Sequence, residues 1–136
     1  KQNIRAVTAE QLGELVDFIS IDVAFISLDK VLPVATTLLK NTGSLVALIK
    51  PQFEAGKEKV GKGGIVRERA VHEEVLSRIL QVAYDCKLYL HGLTFSPIKG
   101  TEGNIEFLGY FTKSEEGALS ITDELIKAVV DEAHTL

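Results

Sequence analysis

The sequence predicts an α/β domain, half of an open sheet that is mostly parallel with one antiparallel strand. Three observations carry this. Two strand-sized apolar segments, 16–23 and 44–50, enclose a segment of helical period, which together make a βαβ unit. A second helical period, from Val71 to Cys86, leads into a third strand-sized segment at 88–96. The polar connection 97–103 then reaches a fourth at 105–112. That connection is too short for a crossover, so the fourth strand runs antiparallel to the third.

Each element has its own signal. Val16 to Val23 (VDFISIDV) is rich in β-branched and aromatic residues. From Leu28 to Lys40 the apolar residues Leu28, Val31, Leu32, Ala35, Leu38 and Leu39 recur at helical spacing. Pro33 falls about the first turn, where a missing N–H is tolerated. Asn41-Thr42-Gly43 is read as the helix stop. Ser44 to Lys50 (SLVALIK) is apolar enough to be buried on both faces, as parallel strands are. The next helix starts near Arg69 or Ala70, and a last one covers Thr122 to Ala133. There is no repeat, linker or low-complexity segment.

At 136 residues the chain supports one domain with a real core. Its 46% hydrophobic and 25% charged residues are ordinary for a globular protein. No apolar run approaches the ~18 residues of a spanning helix, and no signal peptide opens the chain. Cys86 is the single cysteine, which excludes an intrachain disulfide and a C-x-x-C metal or redox site and fits a reducing cytoplasm. The sequence holds no methionine and enters abruptly with Lys1-Gln2-Asn3, so it reads as the later part of a longer protein.

The net charge of −4 argues against a general nucleic-acid clamp. The charge is unevenly spread, however. Residues 50–69 hold six positive side chains against three negative, whereas the last 23 residues hold six acids and only Lys127. The basic stretch contains GKEKVGKGG, 56–64, which matches the loose pattern G-x-x-x-x-G-K of a phosphate-binding loop. The match fails on context. Gly63 stands where Ser or Thr should hold magnesium, and five residues separate the loop from the preceding strand. With the next helix starting only near Arg69, no helix N-terminus backs the loop. A nucleotide hydrolase is excluded.

Ligands of open α/β sheets bind outside the carboxyl ends of the parallel strands. Connectivity brings three ionisable residues there. Asp22 ends the first strand, Lys50 ends the second, and Glu106 opens the returning strand. The bland alternatives are a helix cap for Asp22, a solvated Lys50 and an exposed Glu106. His72 is expected on the solvent side of its helix, and His72-Glu73-Glu74 lacks the second histidine of H-E-x-x-H. No metal site and no G-x-S-x-G elbow is read.

Three longer stretches carry a resemblance: DFISIDVAFISLDKVLP, LVALIKPQFEAGKEKVGKGGIVRERAVHEEVL and GLTFSPIKGTEGNIEFL. From Asn3 to about Tyr110 the chain resembles the TlyA (haemolysin A) family of ribosomal RNA 2′-O-methyltransferases, related to the FtsJ/RrmJ enzymes. The resemblance implies the C-terminal half of a Rossmann-like methyltransferase fold that uses S-adenosylmethionine. It implies that residues 1–136 are a partial methyltransferase domain, with the cofactor glycine loop and a small RNA-binding domain upstream.

Of the family's Lys-Asp-Lys-Glu tetrad, the match places the Asp on Asp22, the second Lys on Lys50 and the Glu on Glu106. The first Lys belongs upstream. Cofactor contacts are implied for Asp22, Val23 and Ala24. The implied reaction is attack of a ribose 2′-oxygen on a sulfonium methyl, with Lys50 either accepting the proton or positioning the oxygen.

The 56–64 loop is then expected to hold RNA backbone or to close over the site, through Lys57, Lys59, Lys62 and Arg67. Two other readings compete. One is a non-catalytic RNA-binding or assembly module. The other is a membrane-active haemolysin, which the lack of a spanning segment or basic amphipathic helix disfavours.

Overall fold

The computed structural model describes residues 14–99 and 103–135. The start of the resemblance at Asn3 and residues 100–102 of the polar turn lie outside the described residues.

Strand β1 (Val16–Ile21) feeds helix α1 (Leu28–Leu38) through a loop that ends in an N-cap. Ser27 Oγ accepts a hydrogen bond from the Asp29 amide at 3.1 Å. Leu28, Val31, Leu32, Ala35 and Leu38 form its buried stripe. Pro33 lies inside the helix, in its second turn, and is exposed. On the solvent side, the carbonyl that its missing N–H leaves unpaired can be hydrated.

Asn41-Thr42-Gly43 does not stop the helix as expected. Leu39 is already extended, at φ −93° and ψ 134°, and strand β2 (Leu39–Ile49) runs through all three. Gly43 answers a different need. A Cβ there would meet Leu39 Cδ1 at 2.6 Å and the Asp17 carbonyl at 2.8 Å, beside the register shift between Val16 and Phe18. The glycine therefore permits close approach within an irregular strand pairing.

A one-turn helix α2 (Pro51–Glu54) and a 3₁₀ turn (Lys57–Lys59) follow, neither of them foreseen. Helix α3 (Arg69–Asp85), strand β3 (Tyr89–Phe95), strand β4 (Phe107–Thr112) and helix α4 (Asp123–Ala133) complete the described chain. Thr122 caps α4, its Oγ1 accepting from the Leu125 amide at 3.1 Å.

The sheet order is β1-β2-β4-β3. β1 and β2 are parallel, and β4 lies antiparallel to both β2 and β3. Thus β1, β2 and β3 share one direction, and the returning strand is inserted between two of them. The sequence specified its direction but not its place.

One face of the sheet carries the core. Ile19, Ile21, Leu45, Ala47, Ile49, Phe107 and Phe111 are buried in one cluster with the stripes of α1, α3 and α4. The other face is open: Phe18 is 55% exposed, Tyr110 is 42% exposed, and Val46 and Leu48 are half-buried. The expectation that 44–50 is buried on both faces is thereby corrected. The apolar stripes of the described helices all serve the first face, and β2 alternates accordingly.

His72 also departs from expectation, being fully buried rather than on the solvent side. Both ring nitrogens are satisfied: Nε2 lies 3.0 Å from the Val66 carbonyl and Nδ1 lies 2.8 Å from His134 Nε2. A buried imidazole with two partners avoids the cost of unmet polar groups.

Candidate functional site

The ladder fixes which residues meet at the ligand edge. Ile49 pairs with Phe107, Phe95 with the same Phe107, and Ile21 with Ala47. The carboxyl ends of β1, β2 and β3 and the amino end of β4 therefore share one edge. Asp22, Lys50 and Glu106 each stand one residue beyond those ends.

The Lys50 amine forms an ion pair with Asp22 Oδ1. Lys50 is also the cap residue of α2, and Pro51 in the first turn bends the chain at once across the edge. That bend aims Gln52 at β4, where its Nε2 donates to Glu106 Oε2 at 2.9 Å. Glu106 is 7% exposed, so this bond satisfies a largely buried carboxylate. Gln52 Oε1 is buried without a hydrogen-bond partner among the described residues.

Beside this group lies a mainly apolar hollow of about 430 Å³, lined by Ala24, Phe25, Lys50, Gln52, Phe53 and Gly64 among others. Phe25 is 88% exposed and its ring stands 4.6 Å from that of Phe53. Its φ of +64° is left-handed, costly for a bulky side chain, and holds the ring out at the mouth of the hollow.

The glycine loop forms another wall. Asn104, buried at 1% exposure, holds it from the β4 side. Its Oδ1 accepts from the Val66 amide at 2.9 Å and its Nδ2 donates to the Gly64 carbonyl at 3.0 Å. Gly63 and Gly64 have φ of 80° and 78°, so the turn requires glycine.

Glu54 locks the two rims of the hollow together. Ser27 Oγ donates to its Oε1 at 2.6 Å and the Leu28 amide donates to its Oε2 at 2.9 Å. Arg78 on α3 donates from Nη2 to Glu54 Oε1 at 3.0 Å and to the Glu54 carbonyl at 2.7 Å. The loop bearing Asp22 and Phe25 is so tied to the turn bearing Lys50 and Phe53.

Burial, reinforced by the neighbouring His134, lowers the pKa of His72 to about 4, against the opposing pull of the Val66 carbonyl. His72 is therefore neutral at pH 7. Facing a carbonyl, its Nε2 must carry the hydrogen, which leaves Nδ1 to accept from His134 Nε2.

Lys50, Asp22 and Glu106 thus meet at one edge, with Glu106 joined through Gln52. Of the implied cofactor contacts, Ala24 lines the hollow, Asp22 is exposed and Val23 is half-buried. Lys57, Lys62 and Arg67 are exposed, and the Arg67 guanidinium donates to the Lys62 carbonyl at 3.4 Å. Lys59 pairs with Glu74 of α3, a contact that raises its pKa. Sequence reasoning missed Gln52, Phe53, Glu54 and Asn104, which sit inside stretches quoted above without a period or motif of their own. Among the described residues no cluster of metal-ligating side chains occurs and no helix is long and apolar enough to cross a membrane.

Ionisable groups gathered at the carboxyl ends of parallel strands, with a hollow beside them, stand where open α/β sheets bind their ligands. The FtsJ-like methyltransferase family matches residues 1–113, and the chain belongs to that family. It is 46% identical over 141 residues to "Putative rRNA methyltransferase YqxC" of Bacillus subtilis, covering 98% of this chain and 49% of that protein. It is 33% identical over 120 residues to the 16S/23S rRNA (cytidine-2′-O)-methyltransferase TlyA of Mycobacterium tuberculosis, covering 88% and 45%.

A solved structure described as "Putative hemolysin from Streptococcus thermophilus" superposes with a TM-score of 0.88 at 44% identity. That match covers 98% of this chain and 48% of the other. The chain spans about half the length of the curated relatives it matches.

Proposed function

We propose that this chain forms the catalytic side of an S-adenosylmethionine-dependent methyltransferase acting on a ribose 2′-hydroxyl of ribosomal RNA. The observation that carries the reading is the Lys50–Asp22 pair at the strand ends, beside a hollow that exposes Phe25. The cofactor glycine loop, the first lysine of the tetrad and a small RNA-binding domain are assigned to sequence upstream of Lys1. A cytoplasmic protein follows from the substrate.

The residues present fit the cofactor. Ala24 gives a small wall beside Lys50, and Gln52 Oε1 is a buried acceptor still to be satisfied. Asp22, Val23 and Ala24 would hold the cofactor, whose chemistry when bound is an electrophilic sulfonium methyl.

The remaining roles belong to the chain. Lys50, held beside Asp22, fixes the line of approach of the ribose oxygen, and its amine, when neutral, is the group placed to take up the 2′-hydroxyl proton. Glu106 and Gln52 brace that position from β4. Phe25 offers an aromatic face on which an unstacked base can rest. Lys57 and Lys62 on the loop supply phosphate contacts.

The test uses full-length protein, labelled S-adenosylmethionine and deproteinised ribosomal RNA. Label in a ribose methyl, lost with Lys50→Ala, supports the reading. RNA binding without transfer would instead favour a non-catalytic assembly module.

A further inference from the structure

A second hollow, of about 440 Å³, lies behind the loop and has no part in the chemistry above. Ile65, Val66, Arg67, Lys99, Gly103 and His134 are among its lining. It meets the first hollow along one wall, since Gly64 and Asn104 line one side while Val66 and Gly103 line the other. We propose that this hollow is a phosphate subsite, in which Lys99 and Arg67 hold a backbone phosphate of the RNA strand whose target ribose occupies the first hollow. The inference rests on the RNA methyltransferase reading.

Three observations support it. First, the described lining includes two cationic side chains, Arg67 and Lys99, and no carboxylate. The acid near His134, Asp131, is engaged by Arg69 at 3.0 Å. Arg67 spends one guanidinium nitrogen on the Lys62 carbonyl and keeps its other donors for a ligand.

Second, Lys99 and Arg69 both act electrostatically on His134. The pKa of His134 is lowered by burial first and then by Arg69, opposed by Asp131, with Lys99 adding to the lowering. An anion placed beside Lys99 and Arg67 is attracted by both.

Third, the wall between the hollows is fixed. His134 donates its Nε2 hydrogen to His72, so its ring is held in place and its Nδ1 is an acceptor that leaves the phosphate to Lys99 and Arg67. The ordered segment Gly64–Val66, held by Asn104 and by His72, sets the separation of the two hollows. Phosphate contacts of this kind set register and carry no base specificity.

The experiment compares full-length wild type with Lys99→Ala, Lys99→Glu and Lys99→Arg. Lys99 is exposed and outside the core, so folding is preserved. Affinity for deproteinised ribosomal RNA is measured across a salt series, and S-adenosylmethionine affinity separately. Lys99→Ala should flatten the log–log salt slope by about 0.7–0.9, the release expected for one phosphate contact. Lys99→Glu should weaken RNA binding further, Lys99→Arg should restore the wild-type slope, and cofactor affinity should stay level.

Wild-type slopes in Lys99→Ala and Lys99→Glu, in a protein that still binds and methylates RNA, would overturn the subsite alone. A wild type that neither binds nor methylates RNA overturns the underlying reading instead.

Discussion

Glu54 Oε1 lies 2.6 Å from Ser27 Oγ, so a turn directly after Lys50 caps the helix that follows Asp22. The carboxylate is 3% exposed and also accepts from the Leu28 amide and from Arg78. One buried acid therefore joins both rims of the candidate active site to α3. Bonds to a charged acceptor of this kind contribute more than neutral ones.

Glu54→Ala should lower stability by about 2–3 kcal/mol, because it removes these bonds and leaves Arg78 only its longer contact with Asp29 at 3.8 Å. Urea unfolding of the full-length protein measures this. Glu54→Gln keeps an acceptor for Ser27 or Leu28 and should cost about half as much. Equal stability of wild type and Glu54→Ala would show that the contact is incidental.

Lys50→Ala should reduce methyl transfer by at least about 100-fold, the lower range for a positioned acid–base or orienting group. Its unfolding midpoint should stay near wild type, since the side chain ends at a surface hollow. Lys50→Arg should also fail, because a guanidinium has a different shape and donor geometry. Single-turnover rates separate this from weakened RNA binding. Near-normal turnover in Lys50→Ala would remove Lys50 from the site.

His72 makes stability depend on pH in a defined direction. Its folded pKa of about 4 lies below the unfolded value of 6.5. Above 6.5 both states are neutral there and its full contribution is present. As pH falls toward 4 the unfolded chain takes a proton that the buried ring resists, so stability is lost across that window. By pH 5 the loss should be on the order of 2 kcal/mol. Denaturant titrations at pH 7, 6 and 5 test it, and His72→Asn should flatten this part of the profile.

The fold was largely legible because its signals are local. Helical spacing at Leu28–Leu38 and Val71–Ala83, and the short connection before β4, depend on neighbouring residues alone. What failed depends on tertiary packing. Whether Val46 and Leu48 are covered, and whether His72 faces inward, is decided by elements far away in sequence.

The site divides in the same way. Asp22, Lys50 and Glu106 follow from strand connectivity, and the resemblance fell on the same three. Gln52, Glu54 and Asn104 act through partners that are 54, 27 and 38 residues distant, and no spacing rule reports such pairs. Phe25 earns its place through a left-handed φ, invisible in composition.

The loop lysines should not act alike. Lys59 is committed to Glu74 on α3, whereas Lys57 and Lys62 carry no ion pair among the described residues. If the loop contacts RNA phosphates, Lys57→Ala with Lys62→Ala should reduce affinity and flatten the salt slope by about 1.5, two counterions being retained. Lys59→Ala alone should change the slope by much less, because its charge is already balanced by Glu74. Cofactor affinity should be unchanged in both. A loop that closes over the cofactor would instead weaken S-adenosylmethionine binding in the double variant with RNA absent. Equal slopes for wild type and the double variant would show that the loop lysines only solvate the surface.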